Sequence, residues 1–286
     1  MDALSKHYRN NDLGISLDVH IGTLTPGNLL AGRTILLTGA TGGIGLSIAH
    51  HCIAQGANVI LVGRRENVLA DTVQILGKEH CREISFDIGK ISDYDRLFNA
   101  AEEPFGPINC LINNAGISLH EGDFMNVTEK SWDEQLLTNL KSPFFLTQAW
   151  LRQYRRLGLK WGRIVMMASD TSGMGSSLPY GLSKVGIASL TRGLAKHIVL
   201  DGIRVNAIAP GTTKTPMTDD FTRGEVIRAT TEGKRVLFPD EIAQTCIFLL
   251  SDLSTCISGQ VIGCTEANIC FDNTAPNLSL EQETNP

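Results

Sequence analysis

The 286-residue chain carries 25 basic and 30 acidic side chains, a net charge of −5 at pH 7. With no basic excess, we expect no nucleic-acid partner and no anionic membrane partner. Its 42% hydrophobic and 19% charged residues are typical of a soluble globular protein and exclude a disordered, collagen-like or coiled-coil chain. No apolar run approaches the roughly 18 residues of a membrane-spanning helix.

From Thr34 onwards, short apolar runs alternate with helical stretches. Continuous apolar strands fit a parallel sheet covered by helices on both faces, the α/β doubly wound Rossmann fold. We therefore predict a single domain of this class. The predicted strands are 34–37, 58–62, 84–87, 108–112, 163–167, 203–208 and 260–262. The predicted helices are 44–55, 67–76, 92–101, 132–157, 180–200 and 240–250.

The alternation of apolar runs and helical stretches is weaker at the two ends of the chain than in this central part. Residues 1–31 are interpreted as an N-terminal extension, residues 32–265 as the Rossmann domain and residues 266–286 as a polar C-terminal tail. The N-terminus lacks the apolar core of a secretory signal. The seven cysteines form no Cys-x-x-Cys pair and are interpreted as reduced thiols, so we expect a cytoplasmic protein.

A glycine cluster, Thr38-Gly39-Ala40-Thr41-Gly42-Gly43-Ile44-Gly45, separates the first predicted strand from the first helix. Glycines at this place let backbone N–H groups approach a pyrophosphate, and the positive end of the helix favours the same group. The cluster therefore predicts a dinucleotide site. The residues that we expect to hold the cofactor here are Gly39, Thr41, Gly43, Ile44 and Gly45.

Further motifs follow in a fixed order along the chain. They are Asn113-Asn114-Ala115-Gly116, Asn139, Ser169, Tyr180 with Lys184, and Asn206-Ala207-Ile208-Ala209-Pro210-Gly211 with Thr215. With the glycine cluster, they make residues 32–263 resemble the short-chain dehydrogenase/reductase family in its single-domain form. One departure is that Cys264-Thr265-Glu266-Ala267 stands where the family often has a glycine pair after its last strand.

Tyr180 and Lys184 stand one turn apart on the helix predicted at 180–200. A lysine ammonium there would lower the pKa of the phenol, which could then exchange a proton with an alcohol or a carbonyl oxygen. The resemblance implies that Ser169 holds the substrate oxygen, with Ser172 as the alternative. It also implies that Asn139 holds a water that relays protons to Lys184.

The resemblance assigns the remaining cofactor contacts to the ends of other strands. It implies that residues near the third strand and the 113–116 turn line the adenosine side and that the loop after residue 209 covers the nicotinamide. These contacts are Asp87, Ile88, Asn114, Ala115, Gly116, Pro210, Gly211, Thr213 and Thr215, with Tyr180 and Lys184 on the ribose. The segment 215–235 matches the family's mobile substrate lid.

The residues after the second strand predict which cofactor is used. Gly63 stands where NAD-binding relatives of this fold carry an acidic residue for the ribose hydroxyl. Arg64 and Arg65 follow at once, and their forked donors suit a 2′-phosphate. Glu66 is close enough to be a ribose ligand instead. We predict NADP(H) rather than NAD(H), with Arg64 as the main phosphate contact.

Together these features predict an oxidoreductase that interconverts a secondary alcohol and a ketone on a small molecule. Reduction of 3-oxoacyl thioesters is the alternative, and a non-catalytic cofactor-binding scaffold is a second one. We predict no metal, because the histidines are scattered, and we interpret His120 as a surface loop residue. The resemblance implies a homotetramer or a homodimer.

Overall fold

Seven parallel strands form the central sheet of the computed structural model, which describes residues 4–270. The strands of the molecule are β1 (Leu4–Asn10), β2 (Ile15–Ile21), β3 (Thr34–Thr38), β4 (Asn58–Gly63), β5 (Cys81–Ser85), β6 (Cys110–Asn113), β7 (Gly162–Met167), β8 (Ile203–Pro210) and β9 (Val261–Cys264). The spatial order in the sheet is β5-β4-β3-β6-β7-β8-β9. This order reverses direction at β3, so the doubly wound fold that the sequence predicts is confirmed.

Helices cover both faces of this sheet. They are α1 (Gly43–Ala54), α2 (Glu66–Leu76), α3 (Tyr94–Glu102), α4 (Glu129–Leu136), α5 (Ser142–Arg156), α6 (Pro179–Ile198), α7 (Asp219–Thr222) and α8 (Pro239–Leu250). The predicted elements agree with these bounds to within three residues, except that the long helix at 132–157 is divided. Among the described residues, no helix has both the length and the apolarity that crossing a membrane requires.

Each face of the sheet has its own apolar core, because successive side chains of a strand point to opposite faces. Ile35 and Leu37 of β3 pack with α1, α2 and α8, whereas Leu36 packs on the other face with α3, α5 and α6. Trp150 of α5 is fully buried in this second core, and its Nε1 donates to the carbonyl of Ile108 at 3.0 Å.

The segment 1–31, predicted to be a weakly patterned N-terminal extension, contains an antiparallel hairpin. β1 pairs with β2 across a turn at 11–14. Val19 is buried, the Tyr8 ring lies 6.4 Å from the Phe238 ring, and the Gln244 side chain of α8 donates to the carbonyl of Gly22. The hairpin is therefore packed against α8. Residues 271–286, most of the predicted tail, lie outside the described residues.

The third strand of the domain begins earlier than its apolar run. The sequence predicts it at 84–87, but β5 covers Cys81–Ser85, with Cys81 opposite Val59. As the edge of the sheet, β5 tolerates the polar Arg82 and Glu83, which conceal the strand from an apolar pattern. Asp87 is left in the loop that follows.

Candidate active site

The carboxyl ends of the parallel strands open into a cleft of about 710 Å³. Every residue that the sequence predicts as a cofactor contact lines this cleft, from Gly39 in the first loop to Thr215 after β8. Ser169, Tyr180 and Lys184 line it as well. The predicted site residues are thus brought together, with Asn139 lying behind the wall of the cleft.

The loop after β3 needs glycine because other backbone approaches it closely. Gly39 has a φ of +68°, and a Cβ on it would lie 2.7 Å from the Cα of Ala115. A Cβ on Gly45 would lie 2.1 Å from the carbonyl oxygen of Gly39. The loop is therefore folded back on itself. Because these positions carry no side chains, its backbone lines the cleft directly.

Thr38 and Asn114 fasten this loop to the neighbouring strand. The Nδ2 of Asn114 donates to the carbonyls of Thr38 and Gly39 at 3.0 and 2.9 Å. The Oγ1 of Thr38 accepts from the backbone N–H groups of Asn114 and Ala115, both at 3.1 Å. Sequence reasoning did not assign Thr38 a role, although its place at the end of an apolar strand marks it as a buried polar group.

The N-terminus of α1 fits the pyrophosphate of a dinucleotide. α1 begins at Gly43 with no side chain capping its first turn, so its free backbone N–H groups face the cleft. A helix N-terminus of this kind attracts anions through those donors and through the helix dipole. The residues present therefore fit the cofactor that the glycine loop predicts.

Tyr180 and Lys184 lie on the first turns of α6, with the Lys184 Nζ 5.5 Å from the centroid of the Tyr180 ring. This Nζ donates to the carbonyl oxygen of Met167 at 2.9 Å. The Lys184 side chain is 4% exposed, and burial lowers its pKa to about 8. A lysine with this pKa releases its proton more readily than one in water.

The pKa of Tyr180 moves in the direction opposite to the one that the lysine alone would cause. Burial raises it, the side chain of Ser169 lowers it in part, and the charge of Asp170 raises it further. Burial penalises the phenolate more than its neighbours stabilise it. The lysine therefore does not by itself make the phenol a ready base.

Ser169 follows β7, and its side chain touches its neighbours in the loop. The Oγ of Ser169 donates to the Oδ1 of Asp170 at 2.8 Å. Ser172, the alternative serine, donates its hydroxyl to the carbonyl of Ser169 at 2.6 Å and is not among the residues lining the cleft. Asn268 donates to the Oδ2 of Asp170 at 3.3 Å. Sequence reasoning missed both Asp170 and Asn268.

Asn139 lies in a π-helical turn, Leu137–Lys141, between α4 and α5. Its Oδ1 accepts from the N–H of Ile117 at 2.8 Å, and its Nδ2 donates to the carbonyl of the same residue at 2.9 Å. A Cβ placed on Gly116 would lie 3.3 Å from the Oδ1 of Asn139 and 3.4 Å from the Nζ of Lys184. Both polar groups therefore face the same point beside Gly116.

At the opposite end of the cleft, the arginines after β4 are exposed on its rim. Arg65 donates through Nη2 to the Oγ1 of Thr41 at 3.2 Å, which joins the rim to the glycine loop. A Cβ on Gly63 would make ordinary contacts at 3.6 Å with Leu69 and Thr41. The backbone there accommodates a larger side chain.

The loop after β8 closes the cleft on its other side. Gly211 donates to the carbonyl of Cys264 at 2.9 Å, and the Thr213 hydroxyl donates to the carbonyl of Gly211 at 2.9 Å. His120, interpreted as a surface residue, is exposed but also lines the cleft, and its Nε2 lies 3.1 Å from the carbonyl oxygen of Met217. These contacts join the loop to both neighbouring walls.

A cluster of charged side chains around Arg235 joins the end of the segment 215–235 to α8 and to the residues after β9. Arg235 is 9% exposed and donates to both carboxylate oxygens of Glu241, at 2.8 and 2.7 Å, and to Glu266 at 2.8 Å. Glu266 and Ala267, in the segment after β9, have φ values of +48° and +68°. The chain thus adopts a left-handed conformation there without glycine, at a cost of about 1–2 kcal/mol per residue.

Comparisons with known proteins agree with this geometry. A family model described as enoyl-(acyl carrier protein) reductase matches residues 39–265. The chain is 32% identical to dehydrogenase/reductase SDR family member 4 of Bos taurus, over 82% of this chain and 86% of that protein. It is 31% identical to the NADP-dependent (R)-specific alcohol dehydrogenase of Lentilactobacillus kefiri, over 80% of this chain and 94% of that protein.

A solved structure has the same architecture. The 3-ketoacyl-(acyl-carrier-protein) reductase of Brucella melitensis, complexed with NADH, superposes with a TM-score of 0.78 at 26% identity. The match covers 84% of this chain and 99% of that one. The similarity thus extends over nearly the whole of that structure, whereas part of this chain lies outside the match.

Proposed function

Because this chain belongs to the short-chain dehydrogenase/reductase family, we propose that it is an NAD(P)-dependent enzyme that interconverts a secondary alcohol and a ketone. The observation that carries this proposal is the convergence of Ser169, Tyr180 and Lys184 on one cleft with an uncapped, glycine-rich helix N-terminus. The similarity to an alcohol dehydrogenase supports the same reaction.

In this proposal the residues of the chain position the substrate and move its proton. Bound nicotinamide supplies or accepts the hydride. Ser169 holds the substrate oxygen, and Tyr180 gives a proton to that oxygen during reduction and removes one during oxidation. Burial lowers the pKa of Lys184 to about 8, so this lysine can exchange protons with Tyr180. Asn139 faces the same point as Lys184 and orders the path by which those protons reach water.

Reduction of 3-oxoacyl thioesters is the second candidate. The similarity to the Brucella melitensis reductase favours it, and the same proton transfer serves a 3-oxo group. Activity with an acyl thioester but not with simple alcohols would select this candidate. A non-catalytic scaffold is less well supported, since it needs neither the buried Lys184 nor the adjoining tyrosine.

We further propose a cytoplasmic homodimer or homotetramer. Exposed apolar side chains on α5 and α6 support self-association, since Phe144, Leu182 and Val185 are 44%, 37% and 38% exposed. The partners proposed are thus a small-molecule substrate, the cofactor and further copies of the chain.

The proposed cofactor is NADP(H). Gly63 places no carboxylate beside the ribose, and Arg64 and Arg65 are exposed on the rim of the cleft where a 2′-phosphate would lie. Arg65 already contacts Thr41, which leaves Arg64 as the main candidate for the phosphate. Charge-assisted hydrogen bonds from arginine to phosphate are among the strongest in proteins.

We expect the wild type to prefer NADP(H) and the double variant Gly63→Asp/Arg64→Leu to prefer NAD(H). The new carboxylate repels the 2′-phosphate and binds the ribose hydroxyl, while the leucine removes a charged hydrogen bond worth about 1.5–3 kcal/mol. The ratio of kcat/KM values for the two cofactors, and their dissociation constants, measure this. Arg96→Leu, an exposed arginine outside the cleft, is the control. A wild type that prefers NAD(H) contradicts the proposal.

The pH profiles of the two directions should have opposite slopes. Oxidation needs the deprotonated Tyr180, whose pKa burial raises, so kcat/KM for the alcohol should rise with pH through neutrality. Reduction needs the protonated form and should fall at high pH. Steady-state rates across the range test this, and a flat oxidation profile would contradict the role of Tyr180.

Stability provides the control for these profiles. The unfolded chain holds a proton on Lys184 up to its ordinary pKa of 10.5, whereas the folded chain releases it at about 8. The unfolded state therefore binds more protons between these values, so the contribution of Lys184 to stability increases as pH rises. Melting temperatures measured in the same buffers separate this effect from catalysis.

A further inference from the structure

A carboxylate lies next to the serine that would hold the substrate oxygen. Asp170 lines the cleft, and its Oδ1 accepts from the Ser169 hydroxyl and from the N–H of Thr171, each at 2.8 Å. Its Oδ2 accepts from the Asn268 amide at 3.3 Å. All three donors are neutral. Within residues 4–270 no ion pair offsets the charge of Asp170.

The two arginines and the lysine that line the cleft are remote from Asp170 or are already hydrogen-bonded. Arg64 and Arg65 follow β4, which is three strands away from β7 in the sheet. With neighbouring strands about 4.8 Å apart, this separation is roughly 14 Å. Lys184 is buried and donates to the Met167 carbonyl. Neither the two arginines nor Lys184 therefore pairs with the carboxylate of Asp170.

The distance between the Asp170 carboxylate and Ser169 indicates which substituent of the substrate would lie against this carboxylate. Ser169 would contact the oxygen on the reacting carbon, and the Oδ1 of Asp170 lies only 2.8 Å from the Ser169 Oγ. This spacing is comparable to that of two oxygens on adjacent carbons of a diol. A substituent on the neighbouring carbon would thus meet the carboxylate.

We propose that Asp170 is a specificity-determining residue that favours substrates with a hydrogen-bond donor on the carbon next to the reacting carbon and rejects a carboxylate there. The inference rests on the proposed alcohol–ketone chemistry and deepens it by naming the substrate class. The donor is a hydroxyl, as in a polyol, or an ammonium, as in an amino alcohol. Each would donate to Asp170, whereas an anion would be repelled.

Four alcohols of nearly equal size test the proposal. They are sec-butanol, propylene glycol, isopropanolamine and lactate. The carbon next to the reacting carbon carries a methyl, a hydroxyl or an ammonium group in the first three, and in lactate it is the carboxylate carbon itself, so that the carboxylate oxygens take the place of these groups. We expect kcat/KM of the wild type for propylene glycol or isopropanolamine to exceed that for sec-butanol by about tenfold, the equivalent of about 1.4 kcal/mol. Lactate should be the poorest of the four. Whichever donor ranks first identifies the hydroxyl or the ammonium as the recognised group.

Asp170→Asn removes the charge and keeps a carbonyl oxygen for Ser169 and Thr171. Comparing the four compounds within each variant cancels any change common to all of them, including a displaced Ser169. We expect the disadvantage of lactate against sec-butanol to shrink by about tenfold, or about 1.4 kcal/mol, in this variant. Asp133→Asn, an exposed residue of α4 outside the cleft, should keep the wild-type ranking. Asp170→Ser is the second neutral variant if the amide destabilises the loop.

A binding measurement separates this inference from the proposed function. Titration calorimetry of the same compounds into the enzyme–NADPH complex ranks them without turnover, because the reduced cofactor cannot accept a hydride from an alcohol. If none of the four is oxidised, the proposed function fails for this class while the ranking still tests Asp170. Lactate binding or reacting as well as sec-butanol in the wild type would overturn the inference. An unchanged ranking in both neutral variants would overturn it as well.

Discussion

Tyr180→Phe is expected to lower kcat by about 10²- to 10⁴-fold, the range that a positioned acid–base group contributes. The substitution removes only the hydroxyl, and the ring keeps its place on the first turn of α6. Because the ring and all the other expected cofactor contacts stay in place, the dissociation constant for the cofactor should stay within about twofold of wild type. Stopped-flow or steady-state kinetics and a cofactor titration measure the two quantities.

Tyr154→Phe is the matched control for this variant. Tyr154 is a buried tyrosine of α5 whose hydroxyl donates to the carbonyl of Asp201 at 3.0 Å, away from the cleft. Its loss should cost about 1 kcal/mol of stability and leave kcat unchanged. If Tyr180→Phe keeps more than about a tenth of the wild-type kcat, less than about 1.4 kcal/mol of barrier has been lost, and Tyr180 is not the acid–base group.

Gly45→Ala is expected to weaken cofactor binding by about ten- to a hundredfold and to lower the melting temperature. The new Cβ would lie 2.1 Å from the Gly39 carbonyl and 2.7 Å from the Nδ2 of Asn114, so the loop has to move. Overpacking of this kind costs about 1–3 kcal/mol, and the displaced N–H groups lose their alignment with the pyrophosphate. Calorimetry with the cofactor and thermal unfolding give both effects.

Gly42→Ala separates crowding from the mere loss of a glycine. Gly42 has an extended backbone, and nothing lies within 4 Å of a Cβ placed on it. Alanine there should bind the cofactor with nearly wild-type affinity. Equal losses in the two variants would mean that the close approach of Gly45 to Gly39 is not what shapes the loop.

The sequence predicts the sheet well because its strands are buried on both faces. The run 59–62 is apolar throughout and fully buried, and it stops at Gly63, where the cleft begins. The glycine loop was likewise predictable, since its residues satisfy a backbone requirement that other side chains cannot meet.

The two strands of the N-terminal hairpin were not predicted, although the sequence of β2 carries a strand pattern. Ile15-Ser16-Leu17-Asp18-Val19-His20-Ile21 alternates strictly between apolar and polar residues, which is the pattern of a half-buried strand. Its partner, β1, lacks this alternation, and the pairing and the contact with α8 appear only in three dimensions. A search for buried runs alone misses such strands.

The contacts of Asp170 could not be predicted for a different reason. Asn268 lies 98 positions away in the sequence, and it reaches Asp170 because the chain turns after β9 in a left-handed conformation at Glu266 and Ala267. Neither residue type favours that conformation. The side chain of Glu266 is held by Arg235, so a tertiary contact overrides the local preference.

The contacts of Arg235 with Glu241 and Glu266 limit how far the carboxyl end can be shortened when a tag or a fusion partner is attached. Both carboxylates that pair with Arg235 lie before residue 271, so a chain that is kept through Cys270 retains them. Truncation before Glu266 would instead leave the guanidinium with Glu241 alone and would remove Asn268 from Asp170. Immobilisation of the enzyme on a support through its carboxyl end should therefore keep Glu266 and Asn268 in the chain.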